Sequence, residues 1–185
     1  MASYIIFWAR ERIDNYIKNG DKGPLSVIFG GPHTSQPTLG KVNIGDTIFP
    51  ITVSNGKMYI LGRMEIEKII TEKEYINEYL IKNNIDVKKE MWDTYCVKNK
   101  KTITHKIPWN CVDDVAIGKN GTSLFKRELP ENKINLIKLG PNKEKETPLK
   151  IKDGKILTSN LIGYFRKLSE TSEKIFHEIV ENINE

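Results

Sequence analysis

The sequence predicts an α+β fold, a small mixed β-barrel with flanking helices, and three observations carry that expectation. Residues 40–70, GKVNIGDTIFPITVSNGKMYILGRMEIEKII, mix β-branched and polar residues on both sides of an Asn55-Gly56 pair. Short strand patterns recur from residue 102 onward, punctuated by Asn120-Gly121 and Asp153-Gly154 turns. Helical periodicity marks the middle and the end of the chain.

The elements follow in order. Residues 4–8, YIIFW, have strand composition, and in ARERIDNYIKNG the spacing of Ile13 and Ile17 predicts a helix ending at Gly20. Residues 24–29 read as a strand. Residues 30–39, GGPHTSQPTL, form a polar loop rich in hydrogen-bonding side chains. A Gly45-Asp46 turn then leads into the hairpin, whose first half carries Ile44, Ile48, Ile51 and Val53. Asn-Gly favours the hairpin because both central residues must take positive φ. The second half, residues 58–70, reads as one strand, with Met58, Ile60, Gly62, Met64, Ile66 and Lys68 on its buried face.

Thr71 with Glu74 three residues on has the capping-box pattern, and Tyr75, Ile76, Tyr79 and Leu80 supply the apolar face of a helix ended by Asn83-Asn84. Val87, Met91, Trp92 and Tyr95 predict a second helix over residues 86–97, making a helical insertion of about 71–100. After the strands that follow residue 102, INLIKL at residues 134–139 reads as a strand and residues 149–157 as a hairpin. PNKEKETP between them is a charged loop in which Lys143 and Lys145 alternate with Glu144 and Glu146 and look solubilising. Ser159 or Asn160 caps a long helix over about 159–183, where Leu161, Phe165, Leu168, Ser172, Ile175, Phe176, Ile179 and Ile183 repeat at helical spacing.

A chain of 185 residues with 38% hydrophobic and 29% charged residues reads as a single globular domain spanning 1–185. Its formal net charge of +5 permits an acidic partner such as nucleic acid. The charge is mostly lysine, and the arginines are Arg10, Arg12, Arg63, Arg127 and Arg166. No apolar run approaches the roughly 20 residues that a spanning helix needs, so no membrane partner is expected. Two cysteines make no disulfide framework, and the N-terminus lacks a signal-peptide pattern, which points to the cytoplasm.

The aromatic residues Phe7, Trp8, Trp92 and Trp109 offer flat surfaces on which a base could stack, with His33, Thr34, Ser35 and Gln36 in reach to read its edges. The same tryptophans equally suit an apolar core. Arg10, Arg12 and Lys18, Lys98, Lys100 and Lys101, and Lys126 with Arg127 could track a phosphate backbone. Arg63 is the hairpin residue expected nearest a barrel mouth. Cys96, His105 and Cys111 lack a fourth ligand and the close pairing of a zinc site, so no metal is expected. Asp114, Glu131 and Lys133 mimic the carboxylate and lysine set of a metal-dependent nuclease. His177 falls off the apolar stripe of its helix and should be solvent-exposed. No Gly-rich phosphate loop is present and no cofactor is expected.

The aromatic-ended first strand, the polar loop, the lead-in VNIGD at residues 42–46 and the strand ending LGRMEI together resemble the PUA-like superfamily, which includes the EVE, ASCH and YTH domains. The resemblance covers residues 4–8 and 41–69. It implies a PUA-like β-barrel that recognises RNA or modified DNA, holding a modified or flipped base in an aromatic cleft. Ligand-binding residues carried over are Trp8, the loop residues His33, Thr34, Ser35 and Gln36, and Trp109. A non-catalytic protein-interaction subunit of a defence or regulatory complex stays open as an alternative, and a metal-dependent nuclease as a second. Non-catalytic binding is favoured over an enzyme.

Overall fold

The computed structural model describes residues 1–10, 12–14, 22–31, 37–84, 91–92, 107–108 and 112–182. Strand β1 (Ser3–Phe7) opens the chain, followed by helical backbone at residues 10 and 12–14 and by β2 (Val27–Gly30). The expected hairpin is β3 (Thr47–Ser54) and β4 (Lys57–Ile60), turned by Asn55 at φ 54° and Gly56 at φ 79°. β5 (Met64–Thr71) then leads through the expected box at Thr71 into α1 (Glu72–Tyr75), which continues as a π-helical stretch, Ile76–Ile81. Beyond β6 (Met91–Trp92) and β7 (Ile107–Pro108) come β8 (Asp114–Lys119), β9 (Arg127–Glu128), α2 (Glu131–Ile134) and β10 (Lys138–Leu139). The chain closes with β11 (Thr147–Pro148), β12 (Ile151–Lys152), β13 (Lys155–Ile156), β14 (Arg166–Lys167) and α3 (Glu170–Glu181).

The main sheet runs β14-β1-β3-β5-β8-β2, with β4 added to β3 and β9 to β4. Only β1 and β3 pair in parallel within it; the other pairs are antiparallel. The protein is therefore α+β with a mostly antiparallel sheet. Among the described residues the pairing is an open path, and the closed barrel expected from the sequence is not formed by them.

Both faces of the central strands are covered, which explains their near-continuous apolar runs. Along β1, Ile5 faces a core shared with α3, whereas Ile6 faces the opposite core with Trp8, Leu25 and Ile28. Along β3, Phe49 and Ile51 join the α3 side, and Ile48 the other. The α3 side is closed by Ile175, Phe176, Ile179 and Val180, with Phe176 set edge-on to Phe49 at 5.4 Å between ring centroids. A third cluster, Val27, Phe29, Ile70, Leu80, Val112 and Val115, holds α1 and the π-helical turn against β8.

Four expectations need correction. Residues 58–70 form two strands: β4 pairs with the second half of β3 and β5 with its start, and the change falls opposite Pro50, which has no N–H to offer a ladder. Met91–Trp92 is extended rather than helical, pairing in parallel with Ile107–Pro108; the rest of the predicted 86–97 helix lies outside the described residues. Residue 134 ends a short helix entered at Pro130, and only Lys138–Leu139 of the INLIKL stretch is strand. The C-terminal helix begins at Glu170, capped by the Ser169 hydroxyl, because residues 161–164 turn through Gly163 at φ 84° and Arg166–Lys167 join β1 instead. Leu161, Phe165 and Leu168 are buried nonetheless. The apolar spacing therefore tracked burial, whereas the hydrogen bonding followed the sheet.

Candidate functional site

Among the described residues, those singled out from sequence do not assemble into one cleft. Trp8 is 2% exposed and sits in the core with Ile6, Ile48 and Met64, and the Arg12 guanidinium lies over its ring at 5.4 Å. In this arrangement Trp8 has no face to offer a base. Arg10 pairs with Asp14 at 3.5 Å on the surface. Arg63 reaches α3, where it meets His177 at 3.1 Å and Glu181 at 3.3 Å. Arg127 is exposed on β9 beside Ile60. His33, Thr34, Ser35, Gln36, Lys98, Lys101 and Trp109 lie outside the described residues.

The metal-nuclease set fares no better. Asp114 starts β8 opposite Gly30 and Thr71, whereas Lys133 on α2 is paired with Glu178 at 2.8 Å. Among the described residues no three His, Cys, Asp or Glu side chains gather to hold a metal ion. Cys96, His105 and Cys111 lie outside the described residues.

His177 also departs from expectation. Its ring is half-buried edge-on to Phe49 at 5.1 Å, and its Nδ1 accepts from Arg63. The helical wheel placed it off the apolar stripe correctly, but that flank of α3 rests on the rim of the sheet.

A different site is built around β1 and β14. A cleft of about 610 Å³ is lined by Tyr4, Lys41, Leu139, Gly140, Pro141, Lys145, Thr147, Pro148, Lys150, Asn160, Phe165, Arg166 and Lys167, within the usual size of a small-ligand pocket, about 300–1,000 Å³. Its floor comes from pairing: Tyr4 opposes Lys167 and Ile5 opposes Arg166 across β1 and β14. One wall is set by β10, since Gly140 N–H donates to the Lys167 carbonyl at 2.9 Å and Leu139 bridges Leu168. The turn carrying Lys145 folds tightly back onto this wall, and a Cβ at Gly140 would overlap the Lys145 carbonyl. Asn142 caps that turn by accepting from the Lys145 N–H at 3.1 Å.

Five cations line the cleft, Lys41, Lys145, Lys150, Arg166 and Lys167, and no carboxylate does among the described residues. None of the five has an ion-pair partner among those residues. Lys167 is steadied by the Pro141 carbonyl, to which its ammonium donates at 3.5 Å. Lys41 and Arg166 both sit over the ring of Tyr164, at 5.5 and 4.7 Å from its centroid. Like charges gathered without acids raise the potential in a concave site and attract anions.

Two polar atoms here lack a partner among the described residues: Asn160 Oδ1 and Arg166 Nε are covered from solvent and make no hydrogen bond to them. Covering such a group unpaired costs about 1–3 kcal/mol, and a functional role is one recognised reason for keeping one. Burial, and then the nearby Asp46 carboxylate, raise the Tyr4 phenol above its ordinary pKa, so it stays a neutral donor. Asp46 itself is spent on structure: it accepts from Ala2 N–H at 2.7 Å and Asn43 N–H at 2.9 Å, locking the Gly45-Asp46 turn to the start of β1.

Sequence reasoning missed this site because its residues come from segments far apart in the chain. Lys145 reads along the chain as a solubilising residue, yet it lines the cleft. The one local signal was YFRK at residues 164–167, where basic residues follow aromatics directly. No protein-family model and no curated protein matches the chain. Among the described residues no helix is long and apolar enough to cross a membrane.

Proposed function

We propose that this protein is a non-catalytic nucleic-acid-binding domain that holds strand phosphates in the cleft between β1, β14 and the β10–β11 turn. The observation that carries it is the group of five cations lining one concave site with no carboxylate among them. Lysines bind phosphate as point charges without a fixed fork, which suits sequence-tolerant contact with a backbone. The PUA-like resemblance of residues 4–8 and 41–69 supports the same function, and a PUA-like relationship of the fold belongs to this proposal. The base-reading role first assigned to Trp8 is not part of it, because that ring is enclosed.

The test is fluorescence anisotropy of labelled oligonucleotides across a salt series. Binding should weaken with added salt along a log–log slope no steeper than about −3.5, five phosphate contacts on a single strand. Replacing Lys41, Lys150 and Arg166 together by alanine should flatten that slope and weaken binding. Affinity and slope unchanged in the triple variant would refute the cleft as the binding surface.

A further inference from the structure

Tyr164 carries its side chain in solvent, 52% exposed, although large aromatics are ordinarily drawn inward. Its ring is the shared platform for Lys41 and Arg166, both of which line the cleft. Phe165 next to it turns the other way and is buried in the floor. The result is an exposed aromatic ring beside a cleft lined by five cations, with Leu139 and Phe165 as apolar lining and a neutral Tyr4 hydroxyl. A duplex keeps its bases stacked inside and shows such a site only backbone, whereas a single strand can present a phosphate and an unstacked base together.

Resting on the nucleic-acid function above, we propose that the ligand is single-stranded nucleic acid and that Tyr164 stacks on one of its bases. A phosphate entering the cleft draws Lys41 and Arg166 from the Tyr164 ring toward itself. The ring face they leave is then open to the adjoining base. Arg166 Nε, without a partner among the described residues, can then donate to the phosphate, and Asn160 Oδ1, likewise without one, can accept from an N–H or O–H of the nucleotide. Tyr164 thus converts a sequence-tolerant anion site into one that prefers unpaired strands.

The experiment compares five probes on the full chain at one salt concentration: a short mixed-sequence single strand as RNA and as DNA, the same sequence as a blunt duplex, inorganic pyrophosphate, and a polyglutamate peptide. The single strands should bind more tightly than the duplex and the peptide. Tyr164→Ala should weaken single-strand binding about tenfold, the worth of one stacked base, whereas pyrophosphate, which offers no base and no longer competes with the ring for Lys41 and Arg166, should bind no more weakly than to the parent. Tyr164→Phe, which keeps the ring, should bind like the parent, and thermal melts of both variants will confirm that this exposed position leaves the fold intact. Equal affinity for duplex and single strand, equal affinity for polyglutamate, or an unaltered single-strand affinity in Tyr164→Ala would overturn the inference. Failure of all nucleic-acid probes would instead overturn the function on which it rests.

Discussion

The Arg63 guanidinium donates from Nη1 to Nδ1 of His177 at 3.1 Å, tying the link between β4 and β5 to α3. Arginine carries its charge at every relevant pH and only donates, so Nδ1 must accept and the imidazole proton sits on Nε2. Glu181 accepts from the same Nη1 at 3.3 Å and Glu173 lies 4.0 Å from His177 Nε2.

Burial first, and then the Arg63 charge, hold the His177 pKa below its ordinary value against the opposing pull of Glu173 and Glu181. The unfolded chain therefore binds this proton more readily than the folded one. Stability should be complete above the unfolded histidine value of about 6.5 and fall as pH drops from there toward the lower folded value. Urea titrations at neutral and mildly acidic pH will show this loss, and His177→Gln should reduce it. An identical acid loss in that variant would place the proton elsewhere.

Phe176 is fully buried against Phe49, so Phe176→Ala leaves a cavity between α3 and the sheet. The expected cost is about 3–5 kcal/mol, read as a lowered urea midpoint with the denaturant slope preserved. A loss below about 1 kcal/mol would show that α3 is not docked as described.

Gly56 and Gly154 occupy equivalent hairpin turns, with φ of 79° and 71°. A Cβ at Gly56 would press on Lys155, whose Cα would lie 3.0 Å away, whereas one at Gly154 meets nothing within 4 Å. Alanine is strained at both by its φ, but Gly56→Ala should cost about 1 kcal/mol more because Lys155 must also move. Paired thermal melts measure the difference, and equal costs would mean that backbone strain alone decides.

At Thr71 the hydroxyl accepts from Glu74 N–H at 3.2 Å while the Glu74 carboxylate accepts from Thr71 N–H at 2.8 Å. Thr71→Ala should cost about 1 kcal/mol at neutral pH. The bond from Thr71 N–H, followed by that from its hydroxyl, lowers the Glu74 pKa. The contribution of the box is present above the ordinary carboxylate range and is lost as pH falls through the lower folded value. Melts of parent and variant should therefore draw closer in acid, as the bond from the Thr71 hydroxyl to the Glu74 carboxylate weakens, without meeting, because the bond from Glu74 N–H to that hydroxyl does not titrate; a gap independent of pH would contradict the reciprocal bonding.

Local chemistry was legible in the sequence wherever neighbours in the chain are neighbours in space. Asn55-Gly56 and Asp153-Gly154 turn hairpins, Gly45-Asp46 makes its turn, and Thr71 with Glu74 forms its box, each through bonds spanning a few residues. The same logic misjudged residues 159–169, because Leu161, Phe165 and Leu168 satisfy helical spacing while the backbone of Arg166 and Lys167 is claimed by β1, more than 160 positions earlier. For Trp8 it left cleft and core both open, and burial among Ile6, Ile48 and Met64 decides for the core.

The sequence by itself determined an α+β chain with its hairpin turns, the Thr71 cap and most of its buried side chains, since backbone sterics and apolar periodicity act over short separations. Only the tertiary structure decided which charges share a surface. Lys41, Lys145, Lys150, Arg166 and Lys167 come from four stretches of chain, and sheet pairing between β1, β14 and β10 is what brings them to one cleft. Charge acts through space, so lysines that look like solvated surface along the chain become an anion site once the strands between them are paired.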